Sequence, residues 1–230
     1  GLAREVGPGC LLVLDDAEHR HLLDLGGHEE GFSVADPQVA HLGPHVVADV
    51  TRLAREIVEQ NLAISPNCAA RTLEADIRPI VEIAQRTGLA IEVACFLGSS
   101  PIRQYTEGWE LPKLLELTRE AVGMATREGL PVMYVTEDTT RARPEDARAL
   151  YTAAVEAGAR RICIADTVGH ATPEGARNLV RFLREVVDDM REDVAVDWHG
   201  HNDRGLGLAN ALAAYEEGVD GAVRWVLIEY

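Results

Sequence analysis

Positive charge is scarce in this sequence of 230 residues, which has 22 Lys and Arg against 38 Asp and Glu and a formal net charge of −16. Nucleic acids and anionic membrane surfaces are bound by basic patches. The charge balance therefore argues against both kinds of partner. The sequence also has no run of 18 consecutive apolar residues, which argues against a transmembrane segment.

Cysteine is sparse too, and its spacing shows no pairing. Cys10, Cys68, Cys95 and Cys163 are far apart and form no CxxC motif. Cys95 and Cys163 lie inside apolar runs, as small core residues do. This usage favours a reducing compartment over a disulfide scaffold, and the first residues show no basic leader with a cleavage signal. We therefore expect a cytoplasmic protein.

Glycine-rich phosphate loops are missing as well. Neither GxGxxG nor GxxxxGK[ST] follows the first apolar run. An open, doubly wound nucleotide-binding sheet is therefore the weaker of two fold hypotheses.

The sequence does contain a regular alternation of short apolar runs and longer amphipathic stretches. Continuous apolar character is typical of buried parallel strands. The predicted strands span residues 62–67, 90–97, 130–138, 160–167, 193–202 and 221–228. The predicted helices span residues 45–59, 72–87, 112–128, 144–157, 172–189 and 206–217.

Two weaker runs, residues 10–16 and 29–33, flank a short helical stretch at 17–25 and raise the strand count to eight. Eight strands alternating with helices predict an α/β fold, a (β/α)8 TIM barrel formed by one domain over residues 1–230. The first βα unit looks degraded, and the sequence ends directly after the last predicted strand. We therefore expect no eighth helix and a barrel that is incomplete at both ends.

Polar residues follow four consecutive predicted strands, and the C-terminal ends of barrel strands are where chemistry takes place. Each of these residues also has a simpler explanation as a cap, a turn residue or a solvated charge. Glu137 fits that explanation less well, because a carboxylate after PVMYVT faces the barrel mouth, where a general acid or base is needed. The candidate site residues are Ser99, Arg103, Glu137, Thr167, His199 and His201.

The two histidines are the sharpest signal. Residues i and i+2 of a strand point to the same face, so His199 and His201 present both imidazoles together. Two adjacent neutral imidazoles can supply half of a divalent metal site. A pair of capping or exposed histidines is the alternative, but the position at a strand end of a barrel favours the metal site.

These segments resemble a known family. HGHNDRGLGLANALAAYEEGVD (199–220) resembles the HxHND segment of the metal-dependent acyl-CoA condensing and lyase barrels, which include 2-isopropylmalate synthase, homocitrate synthase, citramalate synthase and hydroxymethylglutaryl-CoA lyase. RRICIADTVGHATPEGARNLV (160–180) is similar to the family's ADTVGYATP segment, and VTEDTTRARPE (135–145) to its SxEDAxR segment. EEGFSVADPQ (29–38) is similar to its second-strand segment.

The resemblance implies an acyltransferase that condenses acetyl-CoA, or a related acyl-CoA, with a 2-oxo acid in a Claisen-type reaction. It implies a divalent metal ion (Mg, Mn or Zn) bound by His199 and His201, which polarises the keto group. By the same analogy Thr167 binds the substrate carboxylate, and Glu137 transfers a proton or orients the substrate. An incomplete barrel exposes apolar surface, so a homo-oligomer is expected.

The sequence also departs from the family pattern. The first strand lacks the DTTLRDGxQ motif, which supplies an arginine and the third metal ligand, and Asp15 or Asp16 could replace that ligand only by a forced register. The RxSxE motif is absent before Glu137, so Arg103, with Ser99 beside it, is the candidate replacement for reading the substrate. A catalytically impaired barrel of this family and a metal-dependent lyase or aldolase are the alternative hypotheses.

Overall fold

The structure is a computed structural model that describes residues 12–13, 44–190 and 192–220. Its strands are β1 (Leu12–Val13), β2 (Asn67–Arg71), β3 (Glu92–Gly98), β4 (Val132–Glu137), β5 (Arg161–Asp166) and β6 (Ala195–Gly200). Its helices are α1 (Pro44–Glu59), α2 (Glu74–Thr87), α3 (Pro101–Glu107), α4 (Leu111–Arg127), α5 (Pro144–Glu156), α6 (Pro173–Met190) and α7 (Gly207–Glu216). None of these seven helices has the length and apolar character needed to cross a bilayer.

The strands β2 to β6 form a parallel sheet in which every strand pairs with its neighbour in sequence. Crossovers between parallel strands are right-handed, so a strand order without reversal puts all the connecting helices on one face. A doubly wound sheet instead reverses its order at a switch point. The arrangement is that of a TIM barrel, and the predicted fold class is confirmed.

The N-terminal strand differs from the prediction. Leu12 and Val13 lie inside the predicted strand 10–16, but β1 runs antiparallel to β2, with Leu12 opposite Cys68. A parallel barrel strand must enter from the other direction, through a crossover connection. The predicted helix at 17–25, the strands at 29–33 and 221–228, and the chain ends all lie outside the described residues.

The strand β2 begins later than predicted. Residues 62–67 were expected to form it, whereas β2 spans Asn67–Arg71. The segment after α1 is a turn, in which Leu62 N donates to Ile57 O and Asn61 has a φ of 50°. Pro66 has no N–H for a strand ladder, and Ile64 is buried from within the connection. The prediction was wrong because an apolar loop resembles a buried strand.

One helix was not predicted. Residues 101–107 lie between the predicted strand 90–97 and the predicted helix 112–128, and they form α3, which begins after Ser100 and ends at Gly108. Ser100 Oγ accepts a hydrogen bond from Arg103 N, and Pro101 occupies the first turn, where its missing N–H costs nothing. Within the described ranges, the other predicted helices and strands overlap the observed ones.

The parallel strands are buried on both faces, which explains their continuous apolar sequences. The outer face packs under the helices in the main core, with Tyr134, Ile162 and Trp198 almost fully buried. The inner face carries a smaller cluster of Ala94, Met133 and Cys163. Side chains alternate between these faces with a period of two, so the inner set can be followed along each strand to the barrel mouth.

Candidate active site in the barrel mouth

A cavity of about 240 Å³ lies inside the barrel and is lined by side chains from β2 to β6 and from the residues that follow them. Small and apolar side chains form most of its wall, among them Ala69, Ala94, Phe96, Met133 and Val135. Its polar groups include Glu137, Thr167, His199 and His201. Four of the six residues predicted from the sequence therefore line one cavity.

The two histidines lie side by side, as the period of a strand predicts. Their ring centroids are 5.1 Å apart, and the ring planes meet at 79°. Burial, and after it the charge of His201, lowers the pKa of His199 to about 4. His199 is therefore neutral at pH 7, which is the form that binds a metal ion.

The donor chemistry of the pair fits a divalent ion that accepts nitrogen ligands, such as Zn²⁺ or Mn²⁺. Within the described ranges, no cluster of three His, Cys, Asp or Glu residues is placed to hold an ion. Asp15 and Asp16, the candidates for an aspartate ligand, lie outside those ranges. The metal role of His199 and His201 stays a prediction.

Thr167 follows β5, and its hydroxyl is held from one side. Its Oγ1 accepts a hydrogen bond of 2.8 Å from the backbone N of Asp138. A hydroxyl has one proton and two acceptor positions, so this contact leaves the Thr167 proton as a donor. The geometry suits a ligand with an oxygen acceptor in the cavity.

Glu137 is the last residue of β4 and lies between charges of both signs. Burial raises the pKa of its carboxyl above the ordinary value, the Arg103 guanidinium opposes this rise, and Asp138 and Glu107 add to it. Arg103 Nη2 lies 3.4 Å from Glu137 Oε2 and 3.5 Å from Glu107 Oε1. A partly buried carboxyl with a raised pKa suits a group that accepts or donates a proton.

Arg103 and Ser99 are placed differently from the other four predicted residues. Arg103 reaches the site through its ion pair with Glu137 and is not part of the cavity wall. Ser99 is fully buried, and both its N–H and its hydroxyl donate to the backbone oxygen of Glu137, at 3.0 and 2.9 Å. The contacts of Ser99 hold the end of β3 against the end of β4.

From the sequence, Asp166 is only a polar residue that starts a turn at the end of a strand. Asp166 is fully buried, and its carboxylate accepts the N–H groups of His170 and Ala171 and the hydroxyl of Thr140. It closes the turn that follows Thr167. The apolar wall could have been found, because counting back two residues at a time from Glu137 gives Val135 and Met133.

Residues 30–223 of the chain match the HMGL-like family. The chain belongs to this family. The matched segment contains every candidate site residue, so the sequence resemblance is confirmed at the level of the family.

The relatives of this HMGL-like chain include 2-isopropylmalate synthase of Pyrococcus abyssi, which is 34% identical over 221 residues, covering 94% of this chain and 43% of the relative. The mitochondrial homocitrate synthase of Schizosaccharomyces pombe is 34% identical over 138 residues, covering 59% of this chain and 31% of that enzyme. This chain therefore spans less than half the length of both enzymes.

Among solved structures, an HMG-CoA lyase from Acinetobacter baumannii in complex with coenzyme A and 3-methylmalate superposes with a TM-score of 0.51 and 21% identity. The superposition covers 66% of this chain and 49% of the lyase. At this identity the likeness supports the barrel fold of the HMGL-like chain.

Proposed function

We propose that this protein condenses an acyl-CoA, such as acetyl-CoA, with a 2-oxo acid. A proton leaves the carbon next to the thioester carbonyl, and that carbon then forms a bond with the keto carbon of the acid. The keto oxygen gains a proton, and water cleaves the thioester to release the CoA thiol and a hydroxy acid. The observation that carries the proposal is the convergence of His199, His201, Thr167 and Glu137 on one cavity.

Each residue has a role that fits its surroundings. The raised pKa of Glu137, caused first by burial, suits a group that takes and returns a proton during the reaction. Thr167 keeps a hydroxyl proton for the carboxylate of the 2-oxo acid, since its oxygen already accepts the Asp138 N–H. Phe96, Met133 and Val135 supply a wall that excludes water around the reacting carbons.

His199 and His201 would hold a divalent ion, which when bound supplies the positive charge that polarises the keto group. His199 is prepared for this role because its lowered pKa keeps the imidazole neutral. The family match and the identity with 2-isopropylmalate synthase and homocitrate synthase support an enzyme of this type.

Thiol release from acetyl-CoA tests the proposal. The chain is incubated with Mg²⁺, Mn²⁺ or Zn²⁺ and separately with 2-oxoisovalerate, 2-oxoglutarate and pyruvate, and free thiol is measured over time. We expect release with at least one acid, and its loss in His199→Ala and His201→Ala. Calorimetry of Mn²⁺ and Zn²⁺ with the same variants measures ion binding without turnover, and we expect saturable binding that both substitutions abolish.

His170→Ala is the matched control, because His170 is exposed and does not line the cavity. It should bind the ion and release thiol as the unaltered chain does. A folded chain that releases no thiol with any acid would contradict the condensing activity. Ion binding that survives both the His199 and the His201 substitutions would contradict the metal site.

A further inference from the structure

Asp138, the residue after Glu137, has an unusual backbone conformation. Its φ and ψ are 63° and 38°, in the left-handed region that side chains other than Asn and Asp rarely adopt. Among the described residues other than glycine, Asn61 alone shares a positive φ. Residues held in this region cluster at functional sites, where the surrounding structure fixes them. The position of Asp138 beside the cavity therefore needs an explanation.

An ion pair fixes this conformation. The Asp138 side chain is 1% exposed and accepts three charged hydrogen bonds from Arg141, Nε to Oδ1 at 2.8 Å, Nε to Oδ2 at 3.0 Å and Nη2 to Oδ2 at 2.6 Å. The Arg141 N–H also donates to Asp138 O at 3.1 Å and closes a 3-10 turn over Thr139–Arg141. A planar guanidinium that binds both carboxylate oxygens restrains direction as well as distance.

The same turn is tied to the end of β5. Thr139 Oγ1 accepts the N–H of Ala165 at 2.9 Å, and the Thr140 hydroxyl donates to Asp166 Oδ1 at 3.1 Å. These bonds fix the distance between the turn and Thr167, which follows Asp166 in the sequence. The Asp138 N–H then meets Thr167 Oγ1 at 2.8 Å.

We propose that Asp138 is a positioning residue for Thr167. Its left-handed backbone, held by Arg141, points its N–H at the Thr167 oxygen and so fixes that hydroxyl as a donor toward the cavity. The 2-oxo acid carboxylate is then met by a hydroxyl whose direction is set before the substrate arrives. This inference rests on the proposed function for the identity of the ligand, whereas the contact itself does not depend on it.

Three substitutions distinguish the effect of the left-handed backbone at residue 138 from the effect of the Asp138 charge. Asp138→Ala disfavours the left-handed conformation and removes every side-chain contact to Arg141. Asp138→Asn removes the charge, keeps one oxygen that can accept from Arg141, and tolerates the conformation. Asn61→Ala is the matched control, since it imposes the same backbone change at an exposed turn away from the cavity. We expect Asp138→Ala to raise the KM for the 2-oxo acid about tenfold, as expected for a lost hydrogen bond to a charged ligand, with a smaller change in kcat. Asp138→Asn should stay within about threefold, and Asn61→Ala should leave KM unchanged.

A double-mutant cycle gives the decisive comparison. Thr167→Val removes the hydroxyl, so adding Asp138→Ala to it should raise KM no further, whereas Thr167→Ser should restore the effect of residue 138. Additive effects on KM would overturn the proposal, as would an Asn61→Ala effect equal to that of Asp138→Ala. If residue 138 served folding alone, Asp138→Ala and Thr167→Val would each lower the free energy of unfolding, and their effects on KM would be additive.

Amide hydrogen exchange separates this inference from the proposed function. The residue 138 amide should be protected in the substrate-free chain and should lose protection in Thr167→Val, whatever the substrate is. Failure of thiol release with this protection intact would contradict the condensing activity and leave the positioning contact supported. An unprotected amide in the unaltered chain would overturn the positioning role.

Discussion

Glu137 connects the charges of the rim to the proposed chemistry. Its pKa is raised first by burial, which Arg103 opposes and which Asp138 and Glu107 reinforce. A base must be ionised to accept a proton, so activity should rise with pH through the pKa of Glu137. This rise is the acidic limb of the profile of kcat/KM against pH. The pH at which the limb lies therefore depends on the charges around the Glu137 carboxyl.

Arg103→Met should move the acidic limb of kcat/KM to higher pH, because the cation that lowers the pKa of Glu137 is lost. Glu107→Gln should move the limb to lower pH, because a carboxylate that raises this pKa is lost. Both side chains are partly exposed, so we expect shifts of about 0.5 pH unit. The pH profiles of thiol release measure them, and shifts in the same direction for both variants would contradict this account of Glu137.

At the scale of elements, α3 is the piece that carries Arg103 to the site. A Cβ built on Gly98 would lie 2.9 Å from both Cβ and Nε of Arg103, so the helix approaches the end of β3 as closely as a glycine allows. This helix places Arg103, the predicted substrate-reading residue, within ion-pair distance of Glu137.

Gly98→Ala should therefore displace Arg103 from Glu137. We expect a loss of about 1–3 kcal/mol in the free energy of unfolding from overpacking, together with an acidic limb moved to higher pH as in Arg103→Met. Gly108→Ala, at the other end of α3, is the control: its φ of 65° makes alanine costly, but no atom lies within 4 Å of the new Cβ. It should lower stability by about 1–2 kcal/mol without moving the limb. Equal limb shifts in the two variants would contradict the role of the Gly98 contact.

The elements also show how far sequence reasoning reaches. Helices and strands with strong periodicity were predicted nearly at their observed bounds, and parallel strands bring their C-terminal ends together, so Glu137, Thr167, His199 and His201 were predicted to converge. Periodicity does not distinguish an apolar loop such as 62–66 from a strand. It also carries no information on left-handed residues or on hydroxyls that bond to the backbone, so Asp138 was predicted only as a cap or turn residue. Its positive φ and the contacts of Ser99 were not foreseen.

Across the whole barrel, the interior has an apolar layer around the cavity and a layer of charged side chains beneath it. Beneath the apolar wall of the cavity, Arg161 on β5 lies 3.2 Å from Glu92 Oε1 on β3 and 3.0 Å from Asp197 Oδ2 on β6. The Asp197 side chain is fully buried, and burial raises the pKa of Glu92 while Arg161 opposes the rise. This charged layer lies toward the N-terminal ends of the strands, the side of a TIM barrel that serves stability.

Arg161→Met should lower the free energy of unfolding by about 3 kcal/mol at pH 8, because the buried Asp197 and the partly buried Glu92 lose their shared cation. Without Arg161 the pKa of Glu92 rises further, and Glu92 gains a proton as the pH falls through that pKa. The repulsion from Asp197 then ends, so the loss should be smaller at pH 5 than at pH 8.

Arg160→Met is the matched control, since the neighbouring Arg160 is exposed and pairs with Glu192 at 3.4 Å on the surface, a contact that contributes at most about 1 kcal/mol. Urea titrations of both variants at pH 5 and pH 8 measure the four changes in the free energy of unfolding relative to the unaltered chain. Equal losses for the two arginines, or a loss for Arg161→Met that grows toward pH 5, would contradict a stabilising charged layer in the barrel interior.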